Sequence, residues 1–172
     1  MSEAIRFWKV KGEVYGFLSN FYGSIIEAFD LKWPTSEHLY QALKFYGVNM
    51  ERFKYIAAAP GPRMAAAIGR SKELAIRPDW EEVKVDAMRY VVALKFFQSD
   101  DIKYKLIGTH DAELIEDSPF DSFWGCGADG NGMNMLGKIL MEVRAKLKAG
   151  HILYYINQAW TSFTERHEVP HV

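Results

Sequence analysis

Apolar and polar residues alternate along the first part of the chain and later follow a helical period. Short alternating runs predict strands at Ile5–Val10, Ser24–Ala28 and Leu31–Trp33. A turn at Phe29–Asp30 separates the last two strands. Glycines bracket the segment Gly16–Gly23, which predicts a loop between the first two strands. The front of the chain is therefore expected to be mainly extended.

Helical periods dominate the rest of the chain. Apolar positions in Trp80–Phe97 lie close to the period of an α-helix, and Asp79 precedes them as a cap. Further helices are predicted near Ser36 and at Met50–Ala58, Pro62–Gly69, Ser99–Ile107 and Asn134–Lys148. A strand at Ala112–Glu116 and an irregular run at Asp117–Met133 precede the last of these. Strands at the front and helices behind them predict an α+β domain.

The length of 172 residues fits one compact domain, which we place at residues 1–150. Short N-terminal strands would be followed by a mostly helical body. Residues 151–172 hold apolar positions at helical spacing, so they predict a C-terminal helical extension that docks on the core. Its last residues, from Glu165 onward, are expected to fray.

Composition bounds the classes of protein to which the chain can belong. The 21 basic and 22 acidic side chains nearly cancel, so bulk charge predicts neither a surface that coats nucleic acid nor one that binds membranes. Cys126 is the only cysteine, which is typical of a reducing compartment. The N-terminus lacks the pattern of a signal peptide, and no apolar run approaches the ~20 residues of a membrane span. The expected location is the cytoplasm.

The segment Trp33–Phe45 is the first that suggests chemistry. Thr35 and Ser36 signal a helix start, after which Glu37, Gln41 and Lys44 project from one face. A polar stripe of this kind usually faces water. Aromatic residues flank it here, and the combination predicts a cleft lined by both polar and aromatic side chains.

Glu37 lies where the helix dipole favours an ionised carboxylate, so we expect its pKa to be lowered unless burial opposes that effect. A fixed carboxylate can orient water or stabilise the positive charge that develops when an N-glycosidic bond breaks. The alternative is a glutamate that only complements the dipole. Lys44 and Gln41 either grip a phosphate or sugar hydroxyl or form a solvated stripe. His38 either donates to a substrate oxygen or is structural, and no second histidine or cysteine pair accompanies it, so neither a metal nor a cofactor is expected.

A second cluster lies in the segment Asp117–Asn134, which is rich in glycine and directly precedes a helix. It is either an anion-binding loop or a plain surface connection. Trp124 can stack on a base, and Asp121 can pair with ring N–H groups or ribose hydroxyls. Arg70, which follows Gly69, either clamps a phosphate or forms surface ion pairs.

Five ordered motifs resemble the NADAR domain of YbiA-like proteins across about residues 5–148. They are Phe17-Leu18-Ser19-Asn20-Phe21, Trp33-Pro34-Thr35-Ser36-Glu37-His38 with Tyr40-Gln41-Ala42 and Lys44-Phe45, Gly69-Arg70, Arg77 with Asp79-Trp80, and Trp124-Gly125 through Gly130, Gly132, Asn134, Leu136-Gly137, Leu140-Met141 and Arg144. Two features depart from the pattern: Cys126 lies between glycines where an acidic residue often stands, and the tail from His151 lies outside it.

The resemblance implies an α+β N-glycosidase fold that works without a metal. Family members are associated with cleaving phosphoribosylamino-pyrimidine intermediates of riboflavin synthesis, and others with removing ADP-ribose from guanine in nucleic acid. The implied catalytic residues are Glu37 and Asp121. The implied substrate contacts are Asn20, Trp33, His38, Gln41, Lys44, Arg70, Trp124, Gly125 and Asn134.

The expected partner is a phosphorylated ribosyl-amine or an ADP-ribosyl substrate, with nucleic acid only as a modified substrate, and the protein is expected to be a monomer or weak dimer. A rival function from another class is a non-catalytic module that binds ADP-ribose or NAD.

Overall fold

The structure is a computed structural model that describes residues 3–165. Within that range the strands are β1 (Ile5–Phe7), β2 (Gly23–Ala28), β3 (Leu31–Thr35) and β4 (Leu114–Glu116). The helices are α1 (Ser36–Leu43), α2 (Met50–Ala57), α3 (Pro62–Gly69), α4 (Trp80–Gln98), α5 (Asp100–Ile107), α6 (Met135–Lys148) and α7 (Ile152–Glu165). The α+β prediction is confirmed. No helix in this range is both long and apolar enough to cross a membrane.

The strands pair in two separate ways. β2 and β3 form an antiparallel hairpin, and its turn residues Phe29 and Asp30 both have positive φ, at 59° and 56°, as a tight hairpin turn requires. β1 pairs in parallel with β4, which lies more than a hundred residues further along the chain. The strand predicted at Ile5–Val10 is too long: it ends at Phe7, because its partner strand ends at Glu116 and leaves no ladder for the residues that follow.

Helix α4 is the centre of the core, and α1, α6 and α7 all pack against it. The predicted helix after His151 is confirmed as α7, which buries Ile152, Ile156 and Phe163. The predicted fraying concerns residues 166–172, which lie outside the described residues.

Arg77 lies beneath α7 and is structural. Its guanidinium is completely buried, donates to the carbonyl of Phe163 at 3.0 Å and makes two hydrogen bonds to Asp79 at 2.7 and 2.8 Å. Asp79 is the N-cap residue of α4, as predicted, but its side chain makes no capping hydrogen bond. Its carboxylate pairs with Arg77 instead.

The glycine-bracketed loop before β2 is held at both ends. It contains a 3-10 turn at Gly16–Leu18, followed by residues that Lys95 of α4 fixes by donating to the carbonyls of Phe17 at 2.7 Å and Ser19 at 2.8 Å. Burial lowers the pKa of Lys95 to about 7. On the other side, the carbonyl of Asn20 accepts from the backbone N–H of Glu37 at 3.1 Å. This loop therefore ties the start of α1 to α4.

Gly137 of α6 lets that helix approach β4 closely. A Cβ atom at this position would lie 2.1 Å from the carbonyl oxygen of Leu114. We expect Gly137→Ala to destabilise the protein by about 1–3 kcal/mol, because either the helix or the strand must move. Thermal unfolding measures the effect. Gly23→Ala is the matched control, since its added Cβ meets nothing within 4 Å. An unchanged melting temperature for Gly137→Ala would contradict this packing.

Candidate active site

A cleft of about 570 Å³ opens where the start of α1, the end of α3, the start of α4, β4 and the loop after β4 converge. Seven of the predicted site residues line it: Asn20, Glu37, Gln41, Lys44, Arg70, Asp121 and Trp124. Other polar side chains at its wall are Ser19, Glu81, Lys84, Glu116 and Ser118, and the apolar ones are Trp8, Phe21, Tyr40, Trp80, Met88 and Phe120. The cleft is thus both strongly charged and strongly aromatic.

Glu37 lies at the base of this cleft and is only 6% exposed. Its Oε1 accepts a hydrogen bond of 2.8 Å from Nε2 of Gln41, one turn further along α1. Burial raises the pKa of Glu37, although the bond from Gln41 and the charges of Arg70 and Lys44 act to lower it. The sequence predicted a lowered pKa unless burial opposed it, and desolvation by burial outweighs the helix start here. A carboxylate with a raised pKa is a better base near neutral pH.

Gly69 brings the end of α3 against the same face of α1. A Cβ atom there would lie 2.0 Å from Oε1 of Gln41, so only glycine permits this approach without a shift. Lys44 secures the contact by donating to the carbonyl of Gly69 at 3.0 Å. Because Arg70 follows directly, its guanidinium enters the cleft close enough to act on Glu37.

Lys44 is the second cation of the cleft. Its Nζ lies 5.6 Å from the ring centroid of Trp80, within cation–π range. Burial lowers the pKa of Lys44, and the neighbouring Glu37 carboxylate opposes that change. Lys44 and Arg70 therefore form a positive patch directly beside the buried carboxylate.

Asp121 shapes the opposite wall. Its Oδ1 accepts from the backbone N–H groups of Phe123 at 2.9 Å and Trp124 at 2.7 Å, which closes a tight turn. The turn sets the indole of Trp124 edge-on against Tyr40, with ring centroids 5.7 Å apart, and Tyr40 lies 5.2 Å from Trp80. These three rings form an aromatic wall suited to a flat base.

Glu116, the last residue of β4, is a cleft residue that the sequence did not reveal. Its Oε2 is buried and has no hydrogen-bond partner among residues 3–165. Burial raises the pKa of Glu116 to about 8, and the charges of Asp121 and Glu37 contribute to the rise. The feature that could have identified Glu116 from the sequence is its position at the end of a predicted strand, directly before the glycine-rich loop. What sets the direction of that side chain is the parallel pairing with β1.

Two predicted contacts, Trp33 and His38, lie in the core and outside the cleft lining. Trp33 is fully buried, donates to the carbonyl of Ala28 at 3.0 Å and packs its ring against Phe53. His38 is also fully buried. Its Nε2 donates to a backbone carbonyl, that of Ala59, at 3.1 Å, so its Nδ1 accepts from the hydroxyl of Thr35 at 2.7 Å. Trp33 thus fastens the hairpin to α2, and His38 ties the start of α1 to the segment after α2, so both side chains have structural contacts in place of the predicted substrate contacts.

Asn134 and Gly125 are likewise absent from the cleft lining. Asn134 has a left-handed backbone, with φ of 50°, and its amide bridges β4 by accepting from the N–H of Glu116 at 3.0 Å and donating to the carbonyl of Leu114 at 2.8 Å. A Cβ atom at Gly125 would lie 2.8 Å from the carbonyl oxygen of Glu116. Both residues position β4 and the loop that follows it.

Three of the four glycine N–H groups in the loop of residues 117–134 are already used within the loop and do not form an anion cradle. The N–H groups of Gly127, Gly130 and Gly132 donate to carbonyls within the loop itself. The loop is therefore a self-bonded scaffold for Asp121 and Trp124. Across residues 3–165, no group of three or more His, Cys, Asp or Glu side chains is arranged to hold a metal ion.

This chain is similar in sequence and in structure to several known proteins. The model of the NADAR domain family matches residues 6–148, so α7 lies beyond the matched range. An N-glycosidase of Nostoc punctiforme is 46% identical over 145 residues, which cover 84% of this chain and 92% of that protein. A riboflavin biosynthesis protein of Vibrio vulnificus is 40% identical over 148 residues, covering 86% of this chain and 40% of that protein. The NMR structure of the Escherichia coli protein YbiA is similar with a TM-score of 0.77 and 36% identity, covering 86% of each chain.

Proposed function

This chain belongs to the NADAR domain family, and from that premise we propose that it is an N-glycosidase that hydrolyses the ribose C1–N bond of a phosphoribosylamino-pyrimidine. The products would be ribose 5-phosphate and the free amino-pyrimidine. Two names support the proposal: one relative is called an N-glycosidase and another a riboflavin biosynthesis protein. The observation that carries it is the buried carboxylate of Glu37 beside a positive patch and an aromatic wall.

Glu37 acts as the base in this reaction. Its carboxylate takes a proton from a water molecule that attacks C1, and its negative charge stabilises the positive charge that develops on the ribose as the C1–N bond breaks. The hydrogen bond from Gln41 holds Oε1 in one direction, so the other carboxylate oxygen is left to meet the water. Burial strengthens both effects, because the surrounding dielectric is low.

The positive patch of Lys44 and Arg70 binds the 5-phosphate. An arginine offers paired N–H donors that match phosphate oxygens, and the half-buried lysine adds a compact charge. Neutralising the phosphate also keeps its charge from opposing ionisation of Glu37. The phosphate thus contributes to orienting C1 over the carboxylate.

The aromatic wall holds the pyrimidine. Trp124 provides a flat face for stacking, and Asp121, whose Oδ1 is engaged by the loop, can accept from a base N–H or a ribose hydroxyl through Oδ2. Stacking on an aromatic side chain typically contributes about 1–3 kcal/mol per base.

Release of ribose 5-phosphate from a synthetic phosphoribosylamino-pyrimidine tests the proposal. We expect catalytic turnover by the wild-type protein and weaker turnover of the substrate without its 5-phosphate, because Lys44 and Arg70 then lack their partner. Saturable binding of ADP-ribose without turnover of any N-riboside would contradict an enzymatic function and favour a binding module.

A second groove favours one alternative substrate, an ADP-ribosyl group on guanine in nucleic acid. The groove has a volume of about 650 Å³, and its lining includes the basic side chains of Lys9, Lys11 and Arg63. Trp8 and Phe21 line both this groove and the cleft. A basic path leading away from the cleft is suited to a longer, more highly charged substrate.

Parallel assays separate the two substrates. ADP-ribosylated single-stranded DNA and the phosphoribosylamino-pyrimidine are given to the wild-type protein and to the Lys9→Ala/Lys11→Ala/Arg63→Ala variant. We expect the pyrimidine substrate to be turned over faster, and equally by both proteins. Faster release of ADP-ribose, lost in the triple variant, would establish the alternative.

A further inference from the structure

Glu116 places a further carboxyl group in the same cleft as Glu37. It ends β4 in register with Phe7 of β1, and the alternation of strand side chains places it on the same interior face as Leu114. The neighbouring Arg6 and Asp117 project from the opposite face and pair with each other at 2.7 Å. The backbone of Glu116 is held by Asn134 at its N–H and by Cys126 at its carbonyl. The side chain is therefore aimed into the cleft from a rigid strand.

The surroundings of Glu116 favour its neutral form. Glu37 approaches from α1 and Asp121 from the loop, and negative charge on either one disfavours ionisation of Glu116. At the start of α6, the uncharged amide of Asn134 accepts from the backbone N–H of Glu116. Two of the three cations that line the cleft, Lys44 and Arg70, act on Glu37, and the third, Lys84, pairs with Glu81 of the same helix. Glu37 and Glu116 therefore differ. Glu37 has compensating cations, whereas the charges that act on Glu116 are the like charges of Asp121 and Glu37, and its own Oε2 is buried without a hydrogen-bond partner among residues 3–165.

Cleavage of a C1–N bond requires a proton for the departing nitrogen. An amine leaves poorly as an anion, so a positioned acid lowers the barrier by protonating the nitrogen as the bond breaks. Glu37 cannot supply this proton in its role as the base. A second carboxyl group that is neutral near physiological pH meets the requirement.

We propose that Glu116 is the general acid, which transfers the proton of its carboxyl group to the leaving nitrogen while Glu37 accepts a proton from the attacking water. This inference rests on the proposed N-glycosidase function. The C1–N electron pair goes to nitrogen, which gains the proton from Glu116, and the water oxygen forms the new bond to C1. Glu116 ends as a carboxylate and Glu37 as a carboxylic acid. Proton exchange with solvent then restores both groups, and the net reaction consumes one water.

A comparison of leaving groups tests this role. Glu116→Gln keeps the shape of the neutral acid but has no acidic proton. On an N-riboside with an amine leaving group we expect kcat to fall about 10²-fold or more. On ribose 5-phosphate carrying a p-nitrophenolate leaving group, which departs without protonation, we expect little change. A purely structural role would lower both rates equally, and that result would overturn the assignment.

The pH dependence of kcat/KM gives an independent readout. Activity of the wild-type protein should decline as pH rises through about 8, because Glu116 must hold its proton to act as an acid. The same alkaline decline should be missing from the residual activity of Glu116→Gln. An identical alkaline limb in both proteins would overturn the proposal.

The matched control is Glu113→Gln, which makes the same change on an exposed residue directly before β4 and outside the cleft lining. It should behave as the wild type on both leaving groups. If the wild-type protein turns over no N-riboside at all, the proposed function itself fails. If the wild-type protein is active and Glu116→Gln matches it on the amine substrate, only the role of Glu116 fails.

Discussion

Replacing Glu37 by Gln should lower kcat for N-riboside hydrolysis by about 10²-fold or more while the protein stays folded. Glutamine preserves the shape of the side chain and can still accept the hydrogen bond from Gln41, but it neither takes a proton from water nor stabilises positive charge. The assay is release of ribose 5-phosphate under saturating substrate. KM should change less than kcat, because the lost interaction belongs to the transition state.

The stability of Glu37→Gln should not fall with its activity. The folded-state pKa of Glu37 is raised, so an ionised Glu37 weakens the fold as pH rises above the ordinary pKa of a glutamate. Glu37→Gln removes that effect and should melt at the same temperature as the wild type or higher at neutral pH. A gain in stability with a loss of activity is the signature of a residue kept for function.

Glu51→Gln is the control for this experiment. Glu51 is the second residue of α2, as Glu37 is of α1, but its side chain is exposed and outside the cleft lining. It should retain wild-type activity. Full activity of Glu37→Gln on the true substrate would remove Glu37 from the mechanism.

Changes at Asp121 should have the second largest effect. Asp121→Ala removes the acceptor of two backbone hydrogen bonds, which releases the turn that sets Trp124 against Tyr40. We expect kcat/KM to fall about 10²-fold or more, because a displaced aromatic wall no longer holds the base over the reacting bond. Hydrogen exchange of residues 117–134 should become faster, which reports the release of the loop directly.

Asp121→Asn separates the two roles of the carboxylate. Its side-chain oxygen still accepts from the N–H groups of Phe123 and Trp124, so the loop should stay ordered. The lost charge should lower kcat/KM about tenfold, the usual effect of weakening one hydrogen bond to a charged group. Asp129→Asn is the control, since Asp129 makes a similar turn with Asn131 outside the cleft. Wild-type activity of Asp121→Asn would confine Asp121 to holding the loop.

Local patterns account for most of the secondary structure. The caps, turn residues and apolar periods that start α1, close the hairpin at Phe29–Asp30 and define α4 all act within a few residues, so their effects are visible in the chain alone. The one element that was clearly misjudged is β1, whose length depends on a partner strand far along the chain. Short strands of this kind are set by pairing rather than by their own residues.

The same distinction applies to the candidate site. Glu37, Gln41, Lys44, Asp121 and Trp124 were found because each lies in a polar and aromatic segment that is unusual by itself. Trp33 of β3 and His38 of α1 come from the same segment as Glu37, yet both side chains lie in the core, outside the cleft lining. A list of residues in order does not say which side of a helix start faces a cavity when both sides are buried.

What the chain alone decided was the α+β class, the order of elements and the segments that carry the chemistry, because these follow from short-range periodicity and from residue type. The tertiary structure alone decided the electrostatics. Burial raised the pKa of Glu37 against the expectation from its helix position, and the pairing of β4 with β1 directed Glu116 into the cleft. Desolvation and like-charge proximity depend on which distant segments meet, and no local pattern contains that information.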